Sequence, residues 1–485
     1  MKSYVVKTLG CKANLYDSQL IEKGLQEEGW KPSNSDSDQS GAVELCIVNS
    51  CTVTDEADRQ SKKWAARLAK ENPNAKILVT GCGAEVDPEG MAQSKGVSAV
   101  VGNQNKDQMV KLVLDSVAFL SSDILNHSVL GTTKTYKELL SKHPMDREWP
   151  AISDSFLPPP VHLEGHSDKT RAFLKIQEGC DAFCTYCIIP YGRGPSRSLA
   201  ITDAVVQVKH LVEQGIREIV LTGTNIGEYG SEWGKGLQLA ELIRAILDQT
   251  SLERLRVSSL DPTEITNEIL TLMSENSRFC PHFHVSLQSP SSKILRLMKR
   301  GYGFEDVKTC LEKIAELGKQ LPDRRIRGGV FVGMDVITGF PGETDADYQW
   351  TYDALAELPW TRLHVFPYSE RKGTPATRLP DSVPQQVRVE RTRKLNRLSM
   401  QRLQTHYKTI LAEVSSQNES LHGVLMEKAT EARWQAGFTP NYLRILMPSA
   451  SAVRNELVSV SPHEVMIDSN GNDVALISKL ESALS

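Results

Sequence analysis

The chain has 485 residues, of which 40% are hydrophobic and 24% charged, with a formal net charge of −4. These are ordinary values for a soluble globular protein, and the length exceeds what a single core fills, so about two to four domains are expected. No stretch offers the roughly 20 apolar residues of a membrane helix, and the start MKSYVVKTLGCK lacks the apolar core and cleavage site of a secretory signal, so a cytoplasmic location and no membrane partner are expected.

The first hundred or so residues alternate strand and helix. SYVVKTLG is a short apolar run ending at Gly10, and NLYDSQLIEKGLQEEG carries Leu20, Ile21, Gly24 and Leu25 at helical spacing before Gly29. AVELCIVNS reads as the next strand, a helix from about Asp55 turns Ala57, Trp64, Ala65 and Leu68 inward, and KILVTG is a third strand. Such alternation predicts a parallel sheet with right-handed crossovers. Cys11, Cys51 and Cys82 each fall just after a strand, so all three are expected at the carboxyl edge of one sheet, where open α/β sheets bind ligands. Cys46 lies inside its strand and reads as a small core hydrophobe.

From about Leu120 to Asp168 there is no sustained periodicity, and FLPPP marks a linker. A second alternation follows. FLKIQ, EIVLTG, RLRVSSL, HFHVSLQ, VGMDVITGF and RLHVFPYS are strands separated by helices near Thr202, Leu239, Glu264, Leu317 and Thr344, which suggests six units of a (β/α) barrel with its function at the carboxyl ends of the strands. From Arg362 to Lys408 eleven Lys and Arg stand against three Asp and Glu, either a solvated helix face or a surface for RNA. After it, ESLHGVLMEKA, NYLRILMP, ELVSVSPHEVMID and DVALISKL are short alternating runs of a small β-barrel. The expected fold class is therefore α/β: an N-terminal parallel α/β domain over 1–120, a linker over 121–168, a partial (β/α)6 barrel with a basic helical extension over 169–412, and a small OB-like β-barrel over 413–485.

The densest signal is GCDAFCTYC, with Cys180, Cys184 and Cys187 in eight positions. Disulfides do not suit a cytosolic chain. A structural zinc site needs a fourth nearby ligand, which is missing, and a thioredoxin-type pair leaves the third cysteine without a role. A 4Fe-4S cluster suits three thiolates, because one iron is then left open for a chelating substrate.

GCDAFCTYCIIPYGRG resembles the C-x-x-x-C-x-x-C signature of the radical S-adenosylmethionine enzymes, with Tyr186 at the customary aromatic position. The resemblance extends along nearly the whole chain. TLGCKANLYDSQ, VNSCTVTDEAD, VTGCGAEVDPE, LTGTNIGEYG, RVSSLDP, HVSLQS, GFPGET and HVFPYSERKGTPA together resemble the methylthiotransferases. Within them, GCK-x-N, N-x-CTVT and HVFPYS resemble the enzymes that act on threonylcarbamoyladenosine in tRNA. The isopentenyladenosine enzymes and those modifying a ribosomal-protein aspartate usually differ around the first two cysteines.

That resemblance implies two 4Fe-4S clusters. Cys180, Cys184 and Cys187 would hold one, whose open iron chelates S-adenosylmethionine; one electron then cleaves it to a 5′-deoxyadenosyl radical that takes the hydrogen from carbon 2 of adenine. Cys11, Cys51 and Cys82 would hold the auxiliary cluster, presenting a sulfur methylated by a second S-adenosylmethionine. The cofactors perform the difficult chemistry and the protein positions them. A flavodoxin- or ferredoxin-like electron donor, a sulfur source and the tRNA anticodon stem-loop are the implied partners.

Gly223, Thr224, Asn225, Ser258 and Gln288 fall where the family lines its S-adenosylmethionine pocket, and each equally suits a turn or strand end. The C-terminal barrel resembles the TRAM domain, an RNA-binding module, with Arg433, Trp434, Phe438, Tyr442 and Arg444 mixing cations and aromatics as RNA-contacting surfaces do; the aromatics equally suit a small core. Cys280 and Cys310 match no ligand position and are expected to be buried. Ser286, Pro290, Pro195 and Leu199 depart from the family pattern. The alternatives are the same reaction on isopentenyladenosine or a ribosomal-protein aspartate, and a non-catalytic iron–sulfur RNA-binding protein.

Overall fold

The computed structural model describes residues 2–33, 43–103, 111, 128–130, 170–234, 236, 238–321, 326–427, 433–449, 454–468 and 470–483. The N-terminal part is a sheet of β1 (Ser3–Thr8), β2 (Lys31–Pro32), β3 (Leu45–Ser50), β4 (Lys76–Gly81), β5 (Ala99–Val101) and β6 (Ser128–Leu130), in the order β2-β1-β3-β4-β5-β6. Every pair is parallel. Parallel sheets are covered on both faces, and LCIVNS is buried at each of its positions. Cys46 and Val48 pack with Ala65 and Leu68 of the helix Asp55–Glu71, while Leu45 and Ile47 face Ile21 and Leu25 of the helix Lys12–Glu27. The former helix starts where expected because the Thr54 side chain accepts the Ala57 amide at 3.1 Å and the first turn is acidic. Strand β6 lies inside the stretch read as a linker; apart from it, residues 121–168 lie outside the described residues.

The middle part is a six-unit partial barrel. Its strands are β7 (Arg171–Lys175), then, after the short antiparallel pair β8 (Gln177–Glu178) and β9 (Arg197–Ser198), β10 (Glu218–Thr222), β11 (Arg254–Val257) continued past Ser258 by β12 (Ser259–Leu260), β13 (His282–Gln288), β14 (Phe331–Thr338) and β15 (Arg362–Pro367). They pair in parallel as β7-β10-β11 and β12-β13-β14-β15. Alternation decides what each face does. Ala172, Leu174, Ile219, Leu221, Phe283, Val285, Val332, Met334, Leu363 and Val365 join the core beneath the outer helices. Their neighbours Arg171, Phe173, Val220, Thr222, His282, His284, Phe331, Gly333, Arg362 and His364 line the interior instead.

A 33-residue helix, Gln385–Gln417, leads past residue 412 into a closed barrel of β16 (Leu421–Met426), β17 (Trp434–Phe438), β18 (Arg444–Pro448), β19 (Leu457–Ile467) and β20 (Val474–Ala483). This small barrel is seated on the amino-terminal ends of the (β/α) strands. Arg254 opens β11 and donates to the Gly423 and Phe438 carbonyls at 3.0 Å and to that of Thr439 at 2.9 Å; Arg256 donates to Pro440 O at 3.0 Å. Beneath them Glu218, fully buried, pairs with Arg254 at 2.7 Å, Arg256 at 3.3 Å and Arg171 at 3.5 Å.

Of the eleven basic residues in the strip from Arg362 to Lys408, five are buried or half-buried on internal partners, while Lys372, Arg378, Arg393, Lys394, Arg397 and Lys408 are exposed. Arg388 and Arg391 are buried on Glu370 and on Glu343 with Asp345; Arg402 donates to the Leu358 carbonyl at 2.6 Å, Arg362 pairs with Asp473 at 3.0 Å, and Arg371 bonds Thr52. Cys46, Cys280 and Cys310 are buried, as expected.

Candidate active site with two cysteine triads

The first triad forms where three neighbouring strands end. Cys11 caps the helix Lys12–Glu27 after β1, Cys51 follows β3, and Cys82 begins the short helix Cys82–Val86 after β4. Cys11 is exposed, whereas Cys51 and Cys82 are buried. Gly10 brings the first two together. Its φ is +89°, and a Cβ there would lie 2.5 Å from the Cys51 sulfur, so only glycine fits. Asn14 ties the strand exits, donating to Leu9 O at 2.8 Å and Ser50 O at 2.9 Å, with its Oδ1 3.8 Å from the Cys82 sulfur. Burial pushes the Cys51 thiol up.

The second triad sits on the loop after β8. Gly179 has φ +77°, and a Cβ there would strike the Pro195 carbonyl. The loop is pinned by Cys180 N to Gly194 O at 3.0 Å, Cys187 N to Cys184 O at 2.9 Å and Thr185 N to Met298 O at 3.0 Å. The Arg300 guanidinium lies 3.1 Å from the Cys184 sulfur. Burial, followed by the nearby Cys184, pushes the Cys187 thiol up to about 12; burial and Cys187 raise Cys180.

The two triads approach each other across the domain boundary. Gly192 faces Cys82 so closely that a Cβ there would lie 3.3 Å from the cysteine's own. Beside it Arg193, about 1% exposed at its side chain, donates to Asn14 Oδ1 at 2.5 Å, Asp17 at 3.1 Å and Glu178 at 2.5 Å; Lys175 meets Asp17 at 2.8 Å and Glu178 at 2.5 Å. Burial opposes the Arg193 charge, and the Cys82 thiol, Glu178 and Asp17 more than restore it. Asn103 completes the contact, donating to Gly192 O at 2.9 Å with its amide 3.7 Å from the Cys82 sulfur.

Between these parts lies a cavity of about 880 Å³ along the barrel axis, reaching from Gly10, Cys11 and Lys12 to the small barrel. Gly223 and Ser258 line it. Thr224 and Asn225 sit on the turn beside it, and both of their amides donate to Gln177 Oε1, at 3.0 and 2.8 Å. Gln288 ends β13 at φ +62°, and Tyr186 packs edge-on against Phe340 with ring centres 6.2 Å apart. Phe438, Tyr442 and Arg444 are turned toward the cavity instead of outward and form its floor. Phe438 stacks on Tyr442 at 4.8 Å, Arg256 lies 4.7 Å over Tyr442, and Arg444 pairs with Asp473 at 2.6 Å. Arg433 is exposed beside the half-buried Trp434. Among the departures from the family pattern, Leu199 is core and its carbonyl accepts the Tyr229 hydroxyl at 2.5 Å, while Ser286 O accepts that of Tyr302 at 2.7 Å.

Sequence reasoning missed Asn14, Asp17, Arg193, Arg256 and the inward histidines. The alternation in HFHVS was their visible signal. Burial, Arg256 and His284 depress His282, and burial, His284 and Arg362 bring His364 to about 4, so both imidazoles are neutral near pH 7.

The donor chemistry fits thiolate-bound clusters: each set is three cysteines from structurally fixed turns. Among the described residues no three Cys, His, Asp or Glu side chains converge on a single ion, and no helix is long and apolar enough to cross a membrane.

Comparison with known proteins agrees with this architecture. Residues 174–355 match the radical SAM superfamily and residues 3–102 the uncharacterized protein family UPF0004. The chain is 35% identical to the threonylcarbamoyladenosine tRNA methylthiotransferase MtaB of Aquifex aeolicus, over 83% of this chain and 88% of that protein. It is 33% identical to the Bacillus subtilis protein of the same name, over 95% and 93%. The radical S-adenosylmethionine methyltransferase TsrM of Kitasatospora setae shares the fold with a TM-score of 0.53 at 16% identity, over 78% of this chain and 77% of that one.

Proposed function

The chain belongs to the methylthiotransferase family of radical S-adenosylmethionine enzymes, and from that premise we propose that it converts N6-threonylcarbamoyladenosine at position 37 of tRNA to its 2-methylthio form. As an enzyme of this family it works with 4Fe-4S clusters and S-adenosylmethionine. The observation that carries the reading is the approach of Cys82 to Gly192, which puts two independent thiol triads on either side of one contact, with Cys11 of the first lining the cavity.

In this reading Cys180, Cys184 and Cys187 hold the cluster that reductively cleaves S-adenosylmethionine, and Cys11, Cys51 and Cys82 hold the one that supplies sulfur. The chain's own residues do the rest. Gly223, Thr224, Asn225, Ser258 and Gln288 position S-adenosylmethionine at the carboxyl ends of the strands, with Tyr186 backing the cluster loop. Arg193 and its buried partners fix the distance between the two triads, and the closed barrel floor keeps water from entering behind the reactants. Arg433 and Trp434, on a TRAM-like barrel, offer a cation and an aromatic to the anticodon stem-loop. A flavodoxin- or ferredoxin-like protein supplies electrons, a sulfide source replenishes sulfur, and the reaction belongs in the cytoplasm.

The test is mass spectrometry of tRNA nucleosides from cells with and without the gene. Loss of 2-methylthio-threonylcarbamoyladenosine, with its precursor accumulating, is expected. An unchanged nucleoside profile would overturn the reading.

A further inference from the structure

The cavity's cations are nearly all matched. Arg171 and Arg256 share Glu218 at 3.5 and 3.3 Å, Arg171 also meets Glu427 at 2.9 Å, and Arg362 and Arg444 share Asp473 at 3.0 and 2.6 Å. Lys12 differs. It lines the cavity directly after Cys11, its ammonium 5.4 Å from the Phe173 ring on the inner face of β7, and it makes no ion pair or hydrogen bond among the described residues. Its position is unfavourable for a cation: it occupies the first turn of a helix, where the peptide dipoles present their positive end, and burial with the repulsion of Arg256 and Arg171 outweighs the attraction of the more weakly acting Glu218 and Cys11. The side chain remains accessible within the cavity. An accessible ammonium with no acid in contact with it among the described residues suits an anion that arrives with the ligand.

Given the threonylcarbamoyladenosine reading above, we propose that Lys12 takes the carboxylate of the substrate's threonyl group and thereby sets the preference for this nucleoside over adenosines with an uncharged N6 group. The chemistry of the nucleoside fits the position. Its ureido N–H bonds intramolecularly to N1 of the adenine, folding the threonyl arm onto the edge that carries C2. The carboxylate then lies beside the reacting carbon, and Lys12 lies beside Cys11, one of the triad assigned to sulfur delivery. An isopentenyl group offers the ammonium nothing and leaves it unpaired in the cavity, which is how sites built for a polar group reject an apolar one.

The test measures binding of anticodon stem-loops to the full chain with both clusters reconstituted and no reductant, so that no turnover occurs. Three loops are compared: unmodified at position 37, threonylcarbamoylated, and threonylcarbamoylated with the carboxylate as its methyl ester. The wild type is expected to favour the acid over the ester by about tenfold to a hundredfold, the worth of a charge-assisted hydrogen bond. Lys12→Gln should bind acid and ester alike, with unchanged iron content and unchanged affinity for the unmodified loop, and Lys12→Arg should restore most of the preference. A wild type that prefers the modified loops but treats acid and ester equally would sink the Lys12 assignment without any variant, as would a Lys12→Gln protein that keeps the acid preference. A wild type indifferent to all three loops would instead overturn the substrate reading itself.

Discussion

At the scale of single residues, the cysteines make the sharpest demands. If the triads bind separate clusters, anaerobic reconstitution should give about eight irons in the wild type and about half of that in either Cys184→Ala or Cys51→Ala, read by iron analysis; a single substitution that empties both sites would show them to be interdependent. Gly10→Ala probes the same site through the backbone. Its φ of +89° and the Cys51 sulfur 2.5 Å from the new methyl group should cost about 1–3 kcal/mol and release iron from the first triad while the second keeps its own. That these six cysteines matter was legible in the sequence, because strand–helix alternation places Cys11, Cys51 and Cys82 at one edge without any knowledge of side-chain contacts. Asp17 and Arg193 were not legible: 176 positions apart, they are joined only by the packing of one domain on another, which no local pattern encodes.

At the scale of elements, alternation along a strand carried much of the fold. It predicted the parallel sheet, the six barrel strands and the small barrel. It did not say what the inner face of a barrel strand contains, because RLRV or HFHVS fits a solvated face as well as a lined cavity. The same ambiguity moved Phe438, Tyr442 and Arg444 from an expected outer surface to a cavity floor, since stacked aromatics beneath guanidinium groups look alike in both settings. The clearest energetic test concerns Glu218. Burial alone would raise its pKa, yet Arg254, Arg256 and Arg171 hold it well below the usual carboxylate range. Its contribution to stability is therefore present above the unfolded carboxylate pKa of about 4.3 and is lost as pH falls through the lower folded value. Glu218→Gln should lower stability near pH 7 by about 3–5 kcal/mol, leaving buried guanidiniums without their counter-charge, and its urea midpoint should fall less than the wild type's on acidification.

At the scale of the whole molecule, charge counted along the sequence does not say which cations face solvent. Within the strip from Arg362 to Lys408, Arg388, Arg391 and Arg362 are committed to internal acids, while Lys372, Arg378, Arg393, Lys394, Arg397 and Lys408 are exposed. Arg433→Ala should reduce the salt dependence of stem-loop binding by about one phosphate contact, measured as the slope of log affinity against log salt. The buried network around Arg193 has a consequence of another kind. On one side of the contact stands Asp17, a single negative charge; on the other stand Lys175 and Arg193 against Glu178, two positive and one negative. Among these four side chains, the charges on either side balance only in the other's company. The sheet and the barrel are consequently not interchangeable modules: a chimera that grafts the first domain of a distant relative onto this barrel inherits a stranded charge in its interior unless the acid at position 17 travels with the graft, so the two halves are bound to vary as one heritable unit.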